Sequence, residues 1–368
     1  MTLTDTAPIP FRLFEVEVKR IVAISPTYRR VTFTGELCAD IADNRHDQRI
    51  KFLLPTESAG VDDFSLEPTT WYQRWRELPD EKRMPMRTYT IREVRSALAE
   101  FDVDVALHGR LGPASSWALD AQPGDRIIVN APCAHYPDVH GGVDWHAPER
   151  VDRVLLAGDE TAAPAIAGIL ERLPADASGV AVIEVPHADD AVVIGSKPDG
   201  IELVVLARGG ATVGTLLEPE LRSRAPRVLE ECELIARAER IAHATLEDVD
   251  IDAGLLWEVP VSESGGAALG DRAPFYAWLA GEASVIKKAR RLLVSELGVD
   301  RRSVAFMGYW REGRAELRHG LAHPFLHPHL LELLELVESL EERDDRHPRP
   351  PVIRRVEPGR HVGDGHVA

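Results

Sequence analysis

The sequence predicts a small antiparallel β-barrel followed by an α/β half built on a mostly parallel sheet. Three observations predict it. Residues 11–55 alternate apolar and polar positions, with Phe14, Val16 and Val18, then Val31 and Phe33, then Ile50, Phe52 and Leu54. Beyond residue 150, short apolar strands alternate with helical stretches. The chain has 368 residues, too many for one compact core, which suits two domains plus an extension.

The first half, residues 1–148, continues its strands at Arg87–Arg92, Phe101–His108 and Arg126–Val129. The turn Gln122-Pro123-Gly124-Asp125 introduces the last of these. Residues 56–86 break the pattern with Pro, acidic residues and the cluster Trp71, Tyr72 and Trp75, and read as a surface insertion with one short helix. The second half, residues 149–320, has strands at Val154–Ala157, Val180–Val185, Glu202–Ala207, Phe275–Ala280 and Ser303–Tyr309. Helices are expected after Gly158-Asp159-Glu160-Thr161 to about Leu173, over Val213–Arg224 and over Ala283–Leu297. Residues 225–272 are acidic and read as irregular. In residues 321–368, Leu326, Leu330, Leu333, Leu334, Val337 and Leu340 recur at helical spacing, predicting a helical extension whose end is disordered.

Composition excludes several function classes. The formal net charge of −17 repels polyanions and argues against nucleic acid as the main partner. No apolar run approaches about 18 residues, so no membrane span is expected. The N-terminal residues lack a basic stretch followed by an apolar one, which points to the cytoplasm. Cys38, Cys133 and Cys232 are too few and too scattered for a disulfide framework or metal cluster, and read as buried thiols. Redox chemistry therefore needs an added cofactor.

Two segments carry chemistry. In Arg87-Thr88-Tyr89-Thr90-Ile91-Arg92, strand alternation puts Arg87, Tyr89 and Ile91 on one face and Thr88, Thr90 and Arg92 on the other. Guanidinium, phenol and hydroxyl suit a planar anionic ligand, since Arg pairs with phosphate and Tyr packs on rings. An ordinary strand with a polar face has the same composition. In His108-Gly109-Arg110-Leu111-Gly112-Pro113-Ala114-Ser115-Ser116-Trp117-Ala118, a strand ends, glycines turn the chain and a helix starts near Pro113. Its first N–H groups are open to a phosphate, with Ser115 or Ser116 as further donors, and a ligand-free capped helix reads equally well.

Together these segments resemble the ferredoxin reductase-like flavoproteins, and more closely the siderophore-interacting protein family. The further motifs Gly158-Asp159-Glu160-Thr161-Ala162-Ala163-Pro164-Ala165-Ile166, Trp278-Leu279-Ala280-Gly281-Glu282 and Gly308-Tyr309-Trp310-Arg311 resemble the same family. The resemblance spans roughly residues 11–315. It implies a bound FAD. Arg87, Tyr89, Thr90 and Ile91 would form the flavin strand, His108 would sit by the ring through its backbone, and Gly112, Pro113, Ala114, Ser115 and Ser116 would cradle the diphosphate. Asp159, Glu160, Thr161 and Ala162 would line the adenosine end. One departure stands out: Asn130-Ala131-Pro132 occupies the place where relatives tend to show Gly-Pro-Arg-Gly, which puts a phosphate contact there in doubt.

The resemblance further implies hydride supply by NADPH or NADH and a ferric siderophore as substrate. The loop Arg208-Gly209-Gly210 would let Arg208 meet a 2′-phosphate, or leave it in solvent; Glu184 would oppose such a phosphate if it faced the ribose. A basic shelf for an anionic ferric complex is expected at Lys51 with Lys287 and Lys288, extended by Arg290 and Arg291, although a solvated helix face has the same composition. His319, His323, His327 and His329 suggest metal binding, but their flanking prolines favour a solvated loop. A general flavin reductase, a reductase of a protein electron carrier and a non-catalytic siderophore binder are the competing readings. The identity of the siderophore and the oligomeric state stay open at this level.

Overall fold

The computed structural model describes residues 8–232, 256–262 and 265–313. The expected extension over 321–368 and the histidines at 319, 323, 327 and 329 lie outside the described residues. Among the described residues, thirteen strands form two sheets within one compact unit.

The first sheet runs in the order β4-β3-β7-β1-β2-β6-β5. Its strands are β1 (Phe11–Ala23), β2 (Tyr28–Thr34), β3 (Arg49–Leu53), β4 (Met86–Thr90), β5 (Glu93–Arg95), β6 (Glu100–Ala106) and β7 (Arg126–Pro132). The predicted alternation holds. Phe14, Val16, Val18, Val31, Phe33, Ile50 and Phe52 all point into one buried core. After β4 the chain crosses to the far edge: the Ile91 N–H donates to Gln48 O at 2.9 Å and the Arg92 N–H to Asp102 O at 2.8 Å, which closes the barrel. The sequence reading ran this strand through to Arg92 and missed β5.

The 56–86 segment carries the one short helix expected of it and is largely exposed, but one face of that helix is buried. Its helix α1 (Trp71–Glu77) turns Trp71 and Trp75 inward, 9% and 5% exposed, onto Leu13, Leu53 and Ile128. These two tryptophans are four residues apart and so share one helix face. The Trp75 Nε1 donates to Met84 O at 2.9 Å.

The second sheet runs β10-β9-β8-β12-β13-β11. Strands β8 (Arg150–Asp159), β9 (Gly179–Val185), β10 (Ile201–Ala207), β12 (Arg272–Glu282) and β13 (Val304–Trp310) are parallel, and β11 (Trp257–Glu258) is an antiparallel edge. Helix α3 (Ala163–Leu170) packs on one face, and α4 (Leu217–Glu231) and α5 (Ala283–Arg290) on the other. Helix α4 begins four residues later than the sequence implied. Gly214 takes φ +85 against Val285, and its N–H is captured by the Glu184 carboxylate at 3.0 Å, so the chain turns before it coils. The helix then tolerates Pro226 and continues to Glu231. The basic residues expected at the start of α5 fall in its last turn, where they complement the helix dipole. A π-helical stretch, Arg291–Glu296, follows them.

The two sheets interlock. Asp190 accepts from Ser25 Oγ at 2.6 Å and Thr27 Oγ1 at 2.7 Å. Arg92 forks onto Glu171, with Nη1 donating at 2.7 Å. Helix α3 lies so close to the segment before β3 that a β-carbon on Gly168 would stand 2.2 Å from the His46 carbonyl.

Candidate active site at the barrel rim

Strand β4 follows the predicted facing. Arg87 and Tyr89 stand opposite Phe52 and Ile50, on the core-side face, and Thr88 and Thr90 stand opposite Lys51 and Arg49. Tyr89 is half-buried at the rim, tilted on Phe52 with ring centroids 4.7 Å apart. The Arg87 Nη1 donates to Met86 O at 2.7 Å, which turns its guanidinium along the strand. Ile91 is 6% exposed and belongs to the barrel core, so its part in any ligand site is through the backbone.

Helix α2 (Pro113–Asp120) begins with Gly112 as its N-cap and Pro113 in the first turn. No side chain among the described residues caps it. A β-carbon at Gly112 would meet nothing within 4 Å, so space lies open before the helix. Ser115 turns its hydroxyl back to accept the His108 N–H at 3.2 Å, and the Ser116 N–H bonds to Gly112 O. Ala114 is buried at 7%. This uncapped, glycine-led N-terminus and the Arg-and-Tyr strand suit the diphosphate and ring of FAD: Arg87, Tyr89 and Thr90 would hold the ring and phosphate region, and residues 112–116 would hold the diphosphate.

The carboxyl edge of the parallel sheet supplies the other wall. Asp159, at the end of β8, accepts from Thr161 N (2.9 Å), Thr161 Oγ1 (2.5 Å), Glu282 N (2.7 Å) and Trp310 Nε1 (2.8 Å). Burial, with Glu160 adding to it, pushes this carboxyl up to about 6. Asp159, Glu160 and Ala162 are at most 1% exposed, so they shape the edge from within, and Thr161 is the half-exposed member of the set. Glu160 is gripped by Arg208, whose two Nη atoms donate to its two oxygens at 2.6 and 2.5 Å. The Arg208 side chain is 8% exposed, so a 2′-phosphate would have to compete with Glu160 for its fork. Glu184 is fully buried; it receives Gly214 N and Leu217 N and holds the start of α4.

The basic residues expected to form a shelf stand on two elements, Lys51 on β3 and the others on α5. The Lys51 Nζ donates to Thr88 Oγ1 at 3.2 Å on the barrel. Lys287 is half-buried, Lys288 pairs with Glu218 at 2.9 Å, and Arg290 is buried against Glu258 at 2.7 Å. Cys38 and Cys133 are buried and Cys232 is half-buried. Burial raises their thiols to about 12, 11 and 11, which makes them poor nucleophiles. No metal-binding group of His, Cys, Asp or Glu occurs among the described residues.

Sequence reasoning missed one group beside the flavin strand. Arg49, directly opposite Thr90, is 2% exposed and approaches Asp144 to 2.6 Å, with Nη2 donating to Oδ1 at 3.1 Å. Its guanidinium covers the Trp257 ring at 4.3 Å. Asp47, fully buried, accepts from Asp144 N, Trp145 N and Trp278 Nε1. The only sequence signal was a basic residue at the start of a strand whose other members are Ile50, Lys51, Phe52 and Leu53. Its partner is 95 residues away.

An FAD-type barrel set ahead of a parallel nucleotide-type sheet, with the barrel rim meeting that sheet's carboxyl edge, is the fold of the ferredoxin reductase-like flavoproteins. Residues 17–136 match the siderophore-interacting FAD-binding domain, and residues 151–313 match the siderophore-interacting protein model. The chain belongs to the siderophore-interacting protein family. It is 33% identical over 311 residues to the uncharacterized protein Rv2895c of Mycobacterium tuberculosis, covering 83% of this chain and 92% of that one. It is 26% identical over 296 residues to the ferric vibriobactin reductase ViuB of Vibrio cholerae, covering 80% and 87%. The crystal structure of the siderophore-interacting protein SipS from Aeromonas hydrophila superposes with a TM-score of 0.53 at 27% identity, covering 90% of this chain and all of that one.

Proposed function

We propose that this protein reduces ferric iron held in a siderophore, using NADH or NADPH as hydride source and bound FAD as intermediary, and so releases Fe(II) in the cytoplasm. The observation that carries the reading is the meeting of the β4 rim, the uncapped start of α2 and the carboxyl edge of the parallel sheet in one place. FAD supplies the chemistry, accepting electrons in pairs and passing them on singly; Fe(II) binds hard oxygen ligands less tightly and leaves.

The residues of this chain bind and orient. Arg87 and the first N–H groups of α2 neutralise phosphate, Tyr89 gives a ring face, and Thr90 brings a hydroxyl to the rim. The nicotinamide cofactor would lie along the carboxyl edge. A cavity of about 300 Å³ there, between the starts of α4 and α5, is lined in part by Thr212, Gly214, Thr215, Ser284 and Lys288. Lys51, Lys287 and Lys288 remain the candidates for contact with the ferric complex.

The test is anaerobic. Purified protein should be yellow, bleach with NADH or NADPH, and regain colour when a ferric hydroxamate or catecholate is added, with Fe(II) appearing in a chelator trap. A colourless protein overturns the reading. Re-oxidation no faster with the ferric complex than without it would leave a general flavin reductase.

A further inference from the structure

We propose that His108, oriented by Glu160 and Arg208, is the base that takes up the proton left behind when the bound flavin is re-oxidised by ferric iron; this rests on the function proposed above. The three residues come from three elements. His108 follows β6 on the barrel, Glu160 follows β8 and Arg208 follows β10. Five antiparallel steps across the sheet separate β4 from β6, so closure at Arg92 and Asp102 sets these strands antiparallel. Strand β6 thus runs back toward the Met86 end of β4 before releasing His108.

The imidazole is held on several sides. Its Nδ1 stands 3.5 Å from Glu160 Oε1. The backbone N–H of His108 is tied to Ser115 in α2. The ring lies 6.4 Å from Trp310, whose own Nε1 is fixed by Asp159. Behind Glu160, Arg208 occupies both carboxylate oxygens, and Tyr28 donates its hydroxyl to the Glu160 carbonyl at 2.6 Å. Exposure falls from 37% at the His108 side chain to 8% at Arg208 and 1% at Glu160. A half-exposed imidazole whose inner nitrogen faces a buried, fixed carboxylate is a base with its orienting group, and its Nε2 is the outward atom.

A merely structural role explains this poorly. Burying an Arg–Glu pair contributes little net stability compared with apolar packing. The charged groups facing the ring are Glu160, Arg208 and, one residue back, Asp159. Burial holds the imidazole below its ordinary 6.5, Glu160 opposes this and Arg208 adds to it. The ring is therefore neutral at pH 7 and ready to accept.

The balance is simple. A hydride brings two electrons and one proton. Two ferric ions take one electron each and no proton. The remaining N–H bond on the flavin breaks, an N–H bond forms at Nε2, and the proton passes to water. The role of Arg208 is then to hold Glu160, not to read a cofactor phosphate.

Two measurements on the holoprotein test this. In the first, histidine ring nitrogens are followed by NMR, with His108 assigned by loss of its signal in His108→Gln. The proposal expects a neutral ring with its proton on Nδ1 and a titration midpoint below 6.5; a bare Nδ1 or a midpoint at or above 6.5 overturns it. In the second, reduced protein is mixed with a ferric trihydroxamate across a pH series. His108→Gln should re-oxidise about tenfold or more slowly at pH 7 and lose the acid limb of the pH profile, and added imidazole should restore part of the rate. Identical profiles for wild type and variant overturn the base while leaving the ferric reductase reading intact. Failure of the wild type to be re-oxidised by the ferric complex overturns both.

Discussion

Arg49 and Asp144 meet at 2.6 Å with side chains 2% and 8% exposed, one rung across from Thr90 of the flavin strand. Two buried carboxylates, Asp47 and Asp144, share this single guanidinium, and burial pushes Asp144 up to about 6. Its folded form therefore binds a proton more tightly than the unfolded chain, where the ordinary value is 3.8. The stabilisation this gives is fully present below 3.8 and is lost as pH rises through about 6. Asp144→Asn cannot titrate. Its stability relative to wild type should improve between about pH 4 and pH 7 by roughly 1–3 kcal/mol. Urea unfolding at both ends of that window checks the sign; a difference that stays constant, or moves the other way, refutes it.

Flavin affinity should depend on Arg87. Its replacement by Ala removes a charge-assisted phosphate contact of about 1.5–3 kcal/mol, which is roughly a ten- to 150-fold loss of affinity. The readout is the ratio of flavin to protein absorbance after dialysis, with circular dichroism to establish folding. Full occupancy in a folded variant would remove Arg87 from the site.

The tryptophans of the 56–86 segment predict a stability effect. Trp75→Ala empties a site bounded by Leu13, Leu53 and Ile128 and leaves the Met84 carbonyl without its donor. A loss of about 3–5 kcal/mol follows. Denaturant unfolding would show it as an earlier midpoint. A loss under about 1 kcal/mol would mean that the helix can detach without cost.

Gly281 should resist any side chain. It has φ +145, and a β-carbon would lie 2.6 Å from Asp159 Oδ2. Gly281→Ala combines backbone strain with displacement of the carboxylate that anchors Trp310, and should cost more than about 2 kcal/mol. Trp310 fluorescence in the native baseline would report the displacement directly. An unchanged unfolding midpoint would contradict this.

How much of this was legible in the sequence differs by element. The barrel strands were readable because Phe14, Val16 and Val18 alternate with solvated neighbours, a pattern with one solution in a sheet. The insertion's short helix was readable, but its buried face was not, because the composition is polar; only the four-residue spacing of Trp71 and Trp75 betrays an inward face. The start of α4 was misplaced because the hydrophobic pattern cannot see Glu184 capturing the Gly214 N–H from another strand. Glu184 itself was a readable signal, a carboxylate inside Val-Ala-Val-Ile-Glu-Val, though what it pairs with was not. The flavin strand and α2 were legible as motifs because both are contiguous. Arg49, Asp144, Glu160 and Arg208 were not legible as pairs, since their distances along the chain carry no local signal.

The contact at Gly168 bears on how such a chain can change. With the His46 carbonyl 2.2 Å from where a side chain would begin, helix α3 and the barrel meet backbone to backbone. A chimaera joining this barrel to the α/β half of a relative would succeed only where the incoming helix also carries glycine at that point and its own answer to Arg92. The two halves look like interchangeable cassettes on the page of a sequence, yet they must be inherited together. Change in the exposed loops is thereby freer than change at the seam.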